Sequence, residues 1–314
     1  MENFIYSVNA TFPVFLVIVI GYVLMQKGML NDNFVSVANK FNFNVTLPVL
    51  VFRDLSSANI REDFDLIFVL FCAIATTICF FTIWAGAKFF IKDKTIVGAF
   101  VQAAFRSSAA VMGIAFIQNM YGNSGMAPMM IVGAVPLYNT FSVVVLTFEG
   151  EDAGEKGEKI KKALKGIVTN PIIIAIALGV FVSLLGITFP VIVNKTINNL
   201  AVMSSPLALI AIGAGFEGKK ALAKIKPTIA VSVIKLIAQT AVFVPIAIAI
   251  GFRNEKLIAI LIMLAAPTTP SCYIMAKNMK NDGVLTASAV VVTTLLSAVT
   301  LTFWIYILKS FGLI

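Results

Sequence analysis

The chain has 314 residues, 59% of them hydrophobic and 12% charged, with a mean hydropathy of +0.96. A soluble domain carries about 25% charged residues, so the composition reads as an all-α integral membrane protein. Ten helices of roughly 20 residues use about 200 positions, which excludes a sizeable soluble domain and leaves any function to the membrane bundle.

In chain order, MENFIYSVNATFP lacks the basic region and small-residue cleavage site of a signal peptide, so the first apolar run is expected to stay as a helix. The predicted spans are Phe12 to Met25, Val35 to Phe52, Leu66 to Phe90, Ile96 to Met120 and Pro128 to Phe148. After them come Pro171 to Gly186, Ile197 to Phe216, Ile229 to Gly251, Leu257 to Met279 and Leu285 to Leu308. Span 2 is unusually polar at Asn39, Lys40, Asn42, Asn44 and Thr46, and an interfacial or re-entrant segment there would change the count. Cys72, Cys79 and Cys272 sit in apolar runs without metal-ligand spacing and read as packing residues. No cofactor is expected.

Basic residues set the orientation. With the N-terminus outside, the inner loops carry Lys27, Lys88, Lys92, Lys94, Lys156, Lys159, Lys161, Lys162, Lys165, Lys219, Lys220, Lys224, Lys226, Lys277 and Lys280. The outer segments carry only Arg53, Arg61, Lys195, Arg253, Lys256 and Lys309. Ten spans with both termini outside an inner membrane fit this pattern. The net charge of +9 then follows from topology, and no nucleic-acid partner is needed.

The polar run 149–166 is expected to be a cytoplasmic linker between two five-helix repeats, 1–148 and 167–314. Because five is odd, similar halves would be inverted across the membrane. Asn119-Met120 and Asn278-Met279 lie 278 − 119 = 159 apart, which sets span 4 over span 9. Asn39-Lys40 and Asn194-Lys195 lie 194 − 39 = 155 apart, which sets span 2 over span 7, with Pro48 and Pro206 in like positions.

Span 9 carries Pro267 and Pro270 among Thr268, Thr269 and Ser271. Each proline removes an N–H donor and clashes with the preceding turn, so the helix is expected to break where it is buried in protein or lines a wet cavity. A merely kinked helix is the alternative.

The segments NKFNFNVTLPVLVFRDL, RSSAAVMGIAFIQNMYG, TNPIIIAIALGV, SSPLALIAIGAGF and AAPTTPSCYIMAK resemble those of the auxin efflux carrier family, which includes plant auxin carriers and bacterial malate or malonate permeases. The resemblance covers nearly the whole chain. It implies ten helices as two inverted repeats, with the fourth and ninth broken and crossing near the midplane, and an elevator-like movement of the crossed helices. Span 4 departs from the pattern in having no proline, with Arg106, Ser107, Ser108 and Gly113 where a break is expected.

Every Asp and Glu falls in a loop or at a span end, whereas Arg106 and Lys235 read as embedded. An embedded charge costs at least about 2.5 kcal/mol and needs a partner. For Arg106 a substrate carboxylate would serve, gripped bidentately, unless the guanidinium snorkels to the inner surface. Lys235 reads mainly as structural, a cation held against backbone carbonyls or the C-terminal end of a broken helix, and otherwise as cavity lining. Asn42, Asn44, Ser204 and Ser205 beside Pro48 and Pro206 supply neutral donors, either to a site or as interhelical glue. Ser107, Ser108, Pro267, Thr268, Thr269, Pro270 and Ser271 complete the candidate substrate site, with Asn139 as further cavity lining. The expected partners are a small organic anion, such as a mono- or dicarboxylate, and the lipid bilayer; a homodimer is left open. An anion channel and a sodium-coupled carrier of another substrate class are the alternatives. A membrane enzyme is disfavoured because there is no histidine, buried acid pair or metal cluster.

Overall fold

The computed structural model describes residues 2–57, 65–109, 126–150, 165, 168–216 and 218–314. These residues are helical almost throughout. Five stretches are long and apolar enough to cross a membrane: Leu66–Phe90, Met129–Phe148, Val191–Ala214, Ile225–Ile250 and Gly283–Ser310.

The first helix, α1 (Glu2–Gln26), begins earlier than the apolar run alone indicates. Span 2 is α2 (Asp32–Phe41), a π-helical turn Asn42–Thr46, and α3 (Leu47–Ser56). Asn31 caps α2 by accepting from the Phe34 N–H at 2.8 Å. α4 (Leu66–Phe90) is capped by Asp65, which accepts from Phe68 N–H at 3.0 Å. α4 is apolar all round: Phe68, Cys72, Ala75 and Cys79 are buried, yet Ile67, Ile74, Ile78 and Phe81 on the other face are exposed. Only a hydrocarbon solvent accounts for both faces.

α5 (Val97–Phe105) follows a short 3₁₀ turn, and α6 (Ala127–Phe148) follows the segment 110–125, which lies outside the described residues. Gly113 and the second half of span 4 fall there, as does most of the linker 149–166. α7 (Pro171–Leu185) starts with Pro171 behind an Asn170 cap and stops at Gly186 in the left-handed region, φ 65°. Span 7 is α8 (Val191–Val202) and α9 (Ser204–Ala214). α10 (Gly218–Ala223) leads to span 8, which is α11 (Ile225–Val233), a second π turn Ile234–Ala238, and α12 (Gln239–Ile250). α13 (Asn254–Ala265), α14 (Ser271–Asn278) and α15 (Gly283–Ser310) complete the described helices.

One group of helices packs α1 on α9 and α3 on both α7 and α8. The other packs α4 on α6, α12 on α13, and α14 on α15; α15 also lies against α1 and joins the groups. Glycine permits the tightest approaches. A Cβ on Gly213 of α9 would meet the Ile18 carbonyl oxygen at 1.9 Å, and one on Gly21 of α1 would meet the Ile210 carbonyl oxygen at 2.4 Å. In the α3/α7 contact, a Cβ on Gly179 would meet the Cβ of Leu55 at 2.9 Å.

Candidate functional site

The backbone around the site follows from the prolines. In an α-helix each carbonyl accepts from the N–H four residues on. Pro267 and Pro270 have no N–H, so Met263 and Ala266 lose their helical donors. Tyr138 Oη donates to the Met263 carbonyl at 3.0 Å, and Ser107 Oγ donates to that of Ala266 at 3.3 Å. The Leu264 carbonyl would pair with Thr268 N–H, but that N–H donates to Thr293 Oγ1 at 3.0 Å. Lys235 Nζ donates to Leu264 instead, at 2.7 Å.

The end of α5 is finished from the opposite direction. There is no proline here, yet the helix stops at Phe105 and Arg106 is extended, φ −81° and ψ 132°. Thr268 Oγ1 donates to the Ala103 carbonyl at 2.8 Å, and Gln239 Nε2 donates to that of Ala104 at 2.6 Å. Ser108 N–H then donates to the Pro267 carbonyl at 2.9 Å, joining the two non-helical stretches directly. Each helix end is thus completed by side chains from elsewhere in the bundle, as a buried terminus must be in hydrocarbon.

Arg106 is only 4% exposed, so it does not snorkel to a surface. Its Nη2 donates to Asn139 Oδ1 at 2.7 Å, and its Nη1 to Met275 Sδ at 2.6 Å and Ser142 Oγ at 3.4 Å. All of these partners are neutral. Asn139, Ser142 and Tyr138 come from the one face of α6 that their i, i+3/i+4 spacing predicts.

Beside Arg106 lies a cavity of about 50 Å³, room for a few waters. From the non-helical stretches it is lined by Arg106, Ser107, Ser108, Thr269 and Pro270, together with Ser271 at the start of α14. Asn42, Ser204, Ser205 and Asn139 line it from the π turn, α9 and α6. Asn42 is locked in place: its Nδ2 donates to the Ser204 carbonyl at 2.8 Å, and its Oδ1 accepts from Ser204 Oγ at 2.9 Å and Thr46 Oγ1 at 2.8 Å.

The other sequence candidates lie elsewhere. Thr268 and Pro267 act on the helix ends as described. Pro48 is buried inside α3, and Asn44 Nδ2 donates locally to the Lys40 carbonyl at 2.7 Å. Lys235 is fully buried against Leu264, with Gln239 Oε1 at 3.5 Å, and contributes nothing to the lining of the Arg106 cavity. Three contributors escaped the sequence reading, Asp54, Ser142 and Met275, whereas Tyr138 belongs to the polar stretch Pro136 to Thr140 of span 5, which reads as either packing or cavity lining. Assigned to a span end, Asp54 in fact faces the cavity. Its signal was helical spacing, since Leu47, Leu50, Val51 and Asp54 line the cavity at i, i+3, i+4 and i+7. Asp54 Oδ1 accepts from Arg53 Nη2 at 2.7 Å and Nε at 3.0 Å, and Arg53 Nη1 reaches Asn198 Oδ1 at 3.0 Å.

A second, larger cavity of about 670 Å³ is lined by Asn39, Tyr273, Lys277 and Asn278, among others. Asn39 Nδ2 donates to Tyr273 Oη at 3.4 Å at its edge.

The chain matches the family described as membrane transport protein over residues 6–305. An uncharacterized transporter of Methanothermobacter thermautotrophicus is 24% identical over 312 residues, covering 97% of this chain and 99% of that protein. The uncharacterized transporter YfdV of Escherichia coli K12 is 24% identical over 302 residues, 94% of this chain and 95% of its own. A putative malonate transporter of Rhizobium meliloti is 22% identical over 308 residues, 95% of this chain and 94% of its own. The protein therefore belongs to the membrane transport protein family, the auxin efflux carrier group that its sequence resembles, and is a membrane transporter.

Proposed function

We propose that the protein is a secondary carrier for a small organic anion, a mono- or dicarboxylate, bound at Arg106. The observation that carries this reading is a fully charged guanidinium, buried beside a cavity and held only by neutral groups. The one carboxylate in the described lining, Asp54, is paired with Arg53, so a substrate carboxylate is the partner Arg106 lacks. Asn42, Ser204, Ser205, Ser107, Ser108, Thr269 and Ser271 offer it neutral hydrogen bonds, and the N-terminal end of α14 adds a positive dipole end. A cavity of about 50 Å³ favours a short aliphatic acid over an aromatic one. The relative named as a putative malonate transporter supports the same class.

The architecture we infer is ten spans in two inverted repeats, 1–148 and 167–314, joined by the cytoplasmic linker 149–166, with both termini outside an inner membrane. Ser107–Ala266 and Ser108–Pro267 are contacts between positions 159 apart, 267 − 108 = 159, the same shift that lays Asn119-Met120 over Asn278-Met279. A residue on a two-fold axis touches its own counterpart, so these pairs support spans 4 and 9 as broken helices crossing on a pseudo-two-fold axis. The α1/α9 and α3/α7 contacts, each closed by a glycine, join spans 1 and 7 and spans 2 and 6, as the same symmetry requires. An elevator-like movement of the crossed helices would expose Arg106 to the two sides of the membrane in turn. A homodimer would give such a movement a fixed frame.

Counterflow in proteoliposomes tests the reading, with unlabelled mono- and dicarboxylates trapped inside and labelled malonate outside. Uptake driven by trapped acid in the wild type, and lost in folded Arg106→Gln, is expected. Normal exchange by Arg106→Gln removes Arg106 from the site. Flux without counterflow identifies a channel, and uptake that requires sodium identifies the sodium-coupled alternative.

A further inference from the structure

An anion site with a carboxylate in its wall needs an account of its charge. Asp54 shares the lining of the cavity with Arg106, and behind it, outside the lining, its ion-pair partner Arg53 carries the opposite sign. The Asp54 side chain is only 12% exposed. The pair is neutral and Arg106 has no acidic partner among the described residues, so the described lining with its ion pair carries one net positive charge. One monocarboxylate neutralises it. A dicarboxylate dianion leaves it one negative charge in excess, next to the Asp54 carboxylate.

From this arrangement, and resting on the carboxylate-carrier reading, we propose that Asp54 takes up one proton when a dicarboxylate loads. Protonation turns the carboxylate into a neutral acid and ends its ion pair with Arg53. The Arg53 guanidinium, already held by Asn198, is then free to balance the second carboxylate while Arg106 balances the first. On release the proton leaves Asp54 on the same side as the substrate, and the Arg53 pair re-forms. Monocarboxylates need no proton.

No other described group competes for the role. α7, which packs on α3, has no titratable side chain between Pro171 and Leu185. α8 brings Lys195, which is exposed, and α6 brings Tyr138, whose hydroxyl is committed to Met263. Across the cavity stands Arg106.

The test uses the full chain in proteoliposomes containing a pH-sensitive dye, with malonate and pyruvate as substrates, since pyruvate stays a monoanion throughout the assay range. In the wild type, malonate taken up against trapped pyruvate is expected to bring in one proton per malonate and to speed up several-fold as pH falls from about 8 to about 6, whereas malonate–malonate exchange carries a proton each way and moves none net. Pyruvate counterflow is expected to move no proton and to be flat over that range. In Asp54→Asn, malonate uptake against trapped pyruvate, whatever its absolute rate, is expected to lose both the proton and the pH dependence, and Asp54→Glu is expected to restore them. Arg53→Gln is expected to lower malonate transport at least tenfold relative to pyruvate, which keeps the proposal testable should Asp54→Asn fail to fold. Proton entry that survives in Asp54→Asn overturns the assignment, because the carrier then takes the monoprotonated acid or another group titrates. Wild-type malonate uptake against trapped pyruvate without a proton also overturns it. Exchange of no acid at all refutes the carrier reading itself, which is a different outcome.

Discussion

Tyr138→Phe isolates the cost of an unfinished helix end. Pro267 deprives the Met263 carbonyl of its helical donor, and Tyr138 Oη replaces it at 3.0 Å. Both residues are buried, Tyr138 at 4% and Met263 at 0% exposed, so water has no ready access to the carbonyl. Phenylalanine keeps the ring and its tilted contact with Phe105, 5.9 Å between centroids, and creates no cavity. The loss is therefore the desolvation penalty of one buried acceptor, about 1–3 kcal/mol, or roughly a 5- to 150-fold shift in the unfolding equilibrium. Reversible unfolding in mixed micelles measures it, with Tyr306→Phe as the control at a 68% exposed position. The control should stay within about 0.5 kcal/mol of wild type. If Tyr138→Phe does the same, the Met263 carbonyl has another partner and the argument that side chains complete the end of α13 fails.

Four further perturbations bear on packing, the polar network and charge. Gly213→Ala places a methyl 1.9 Å from the Ile18 carbonyl oxygen and must push α1 off α9, at a cost of about 1–3 kcal/mol in the same unfolding assay. Gly86→Ala, with nothing within 4 Å of the new methyl, should be neutral or stabilising by up to about 1 kcal/mol. Asn42→Ala strips the Ser204 carbonyl and two hydroxyls of their partner, so a loss of about 1–3 kcal/mol accompanied by slower counterflow is expected. At the N-terminal end of α4, the hydrogen bond from Lys256 at 2.5 Å, followed by that from Phe68 N–H, holds the Asp65 carboxyl below its usual range. A depressed folded pKa stabilises fully above the unfolded value of about 3.9 and loses that stabilisation as pH falls through the folded value. Wild type should thus show an acid-dependent fall in its unfolding midpoint below about pH 4 that Asp65→Asn lacks, worth under about 1 kcal/mol because both side chains are partly exposed. Equal acid slopes for the two proteins would rule out the Asp65 contribution.

Much of this arrangement is legible in the residues because proline acts locally. Pro267 and Pro270 state in sequence which carbonyls lose their donors, so the interruption after Ala265 needs no tertiary information. The stop at Phe105 is different. Nothing in AFRSS forbids a helix; the chain leaves it because Thr268, Gln239 and the Pro267 carbonyl, all more than 130 residues away, offer its backbone better partners. The polar residues of span 2 that blurred its reading as a membrane helix split into two groups. Asn42 and Thr46 are buried in one network, while Asn44 bonds back to its own helix. Asp54 was hidden for a related reason: its distance from the apolar run marks it as a boundary residue, and only the register set by the π turn shows which way that boundary faces.

The two buried cations show how partner chemistry separates scaffold from site. Both Arg106 and Lys235 lie deep in an apolar bundle, and charge alone cannot rank them. Lys235 Nζ meets the Leu264 carbonyl at the C-terminal end of α13, where the helix dipole is negative and one acceptor lacks its helical donor. The helix end itself answers that ammonium, and its place is structural. Arg106 meets an amide oxygen, a thioether and a hydroxyl, none of which carries charge, and opens onto a cavity lined with hydroxyls. A guanidinium cannot shed its proton to relieve this, so on the proposed carrier reading the relief comes from outside the chain, as an anion that arrives and leaves. A buried lysine answered by backbone and a buried arginine answered by nothing charged are what a fixed joint and a transport site, respectively, require.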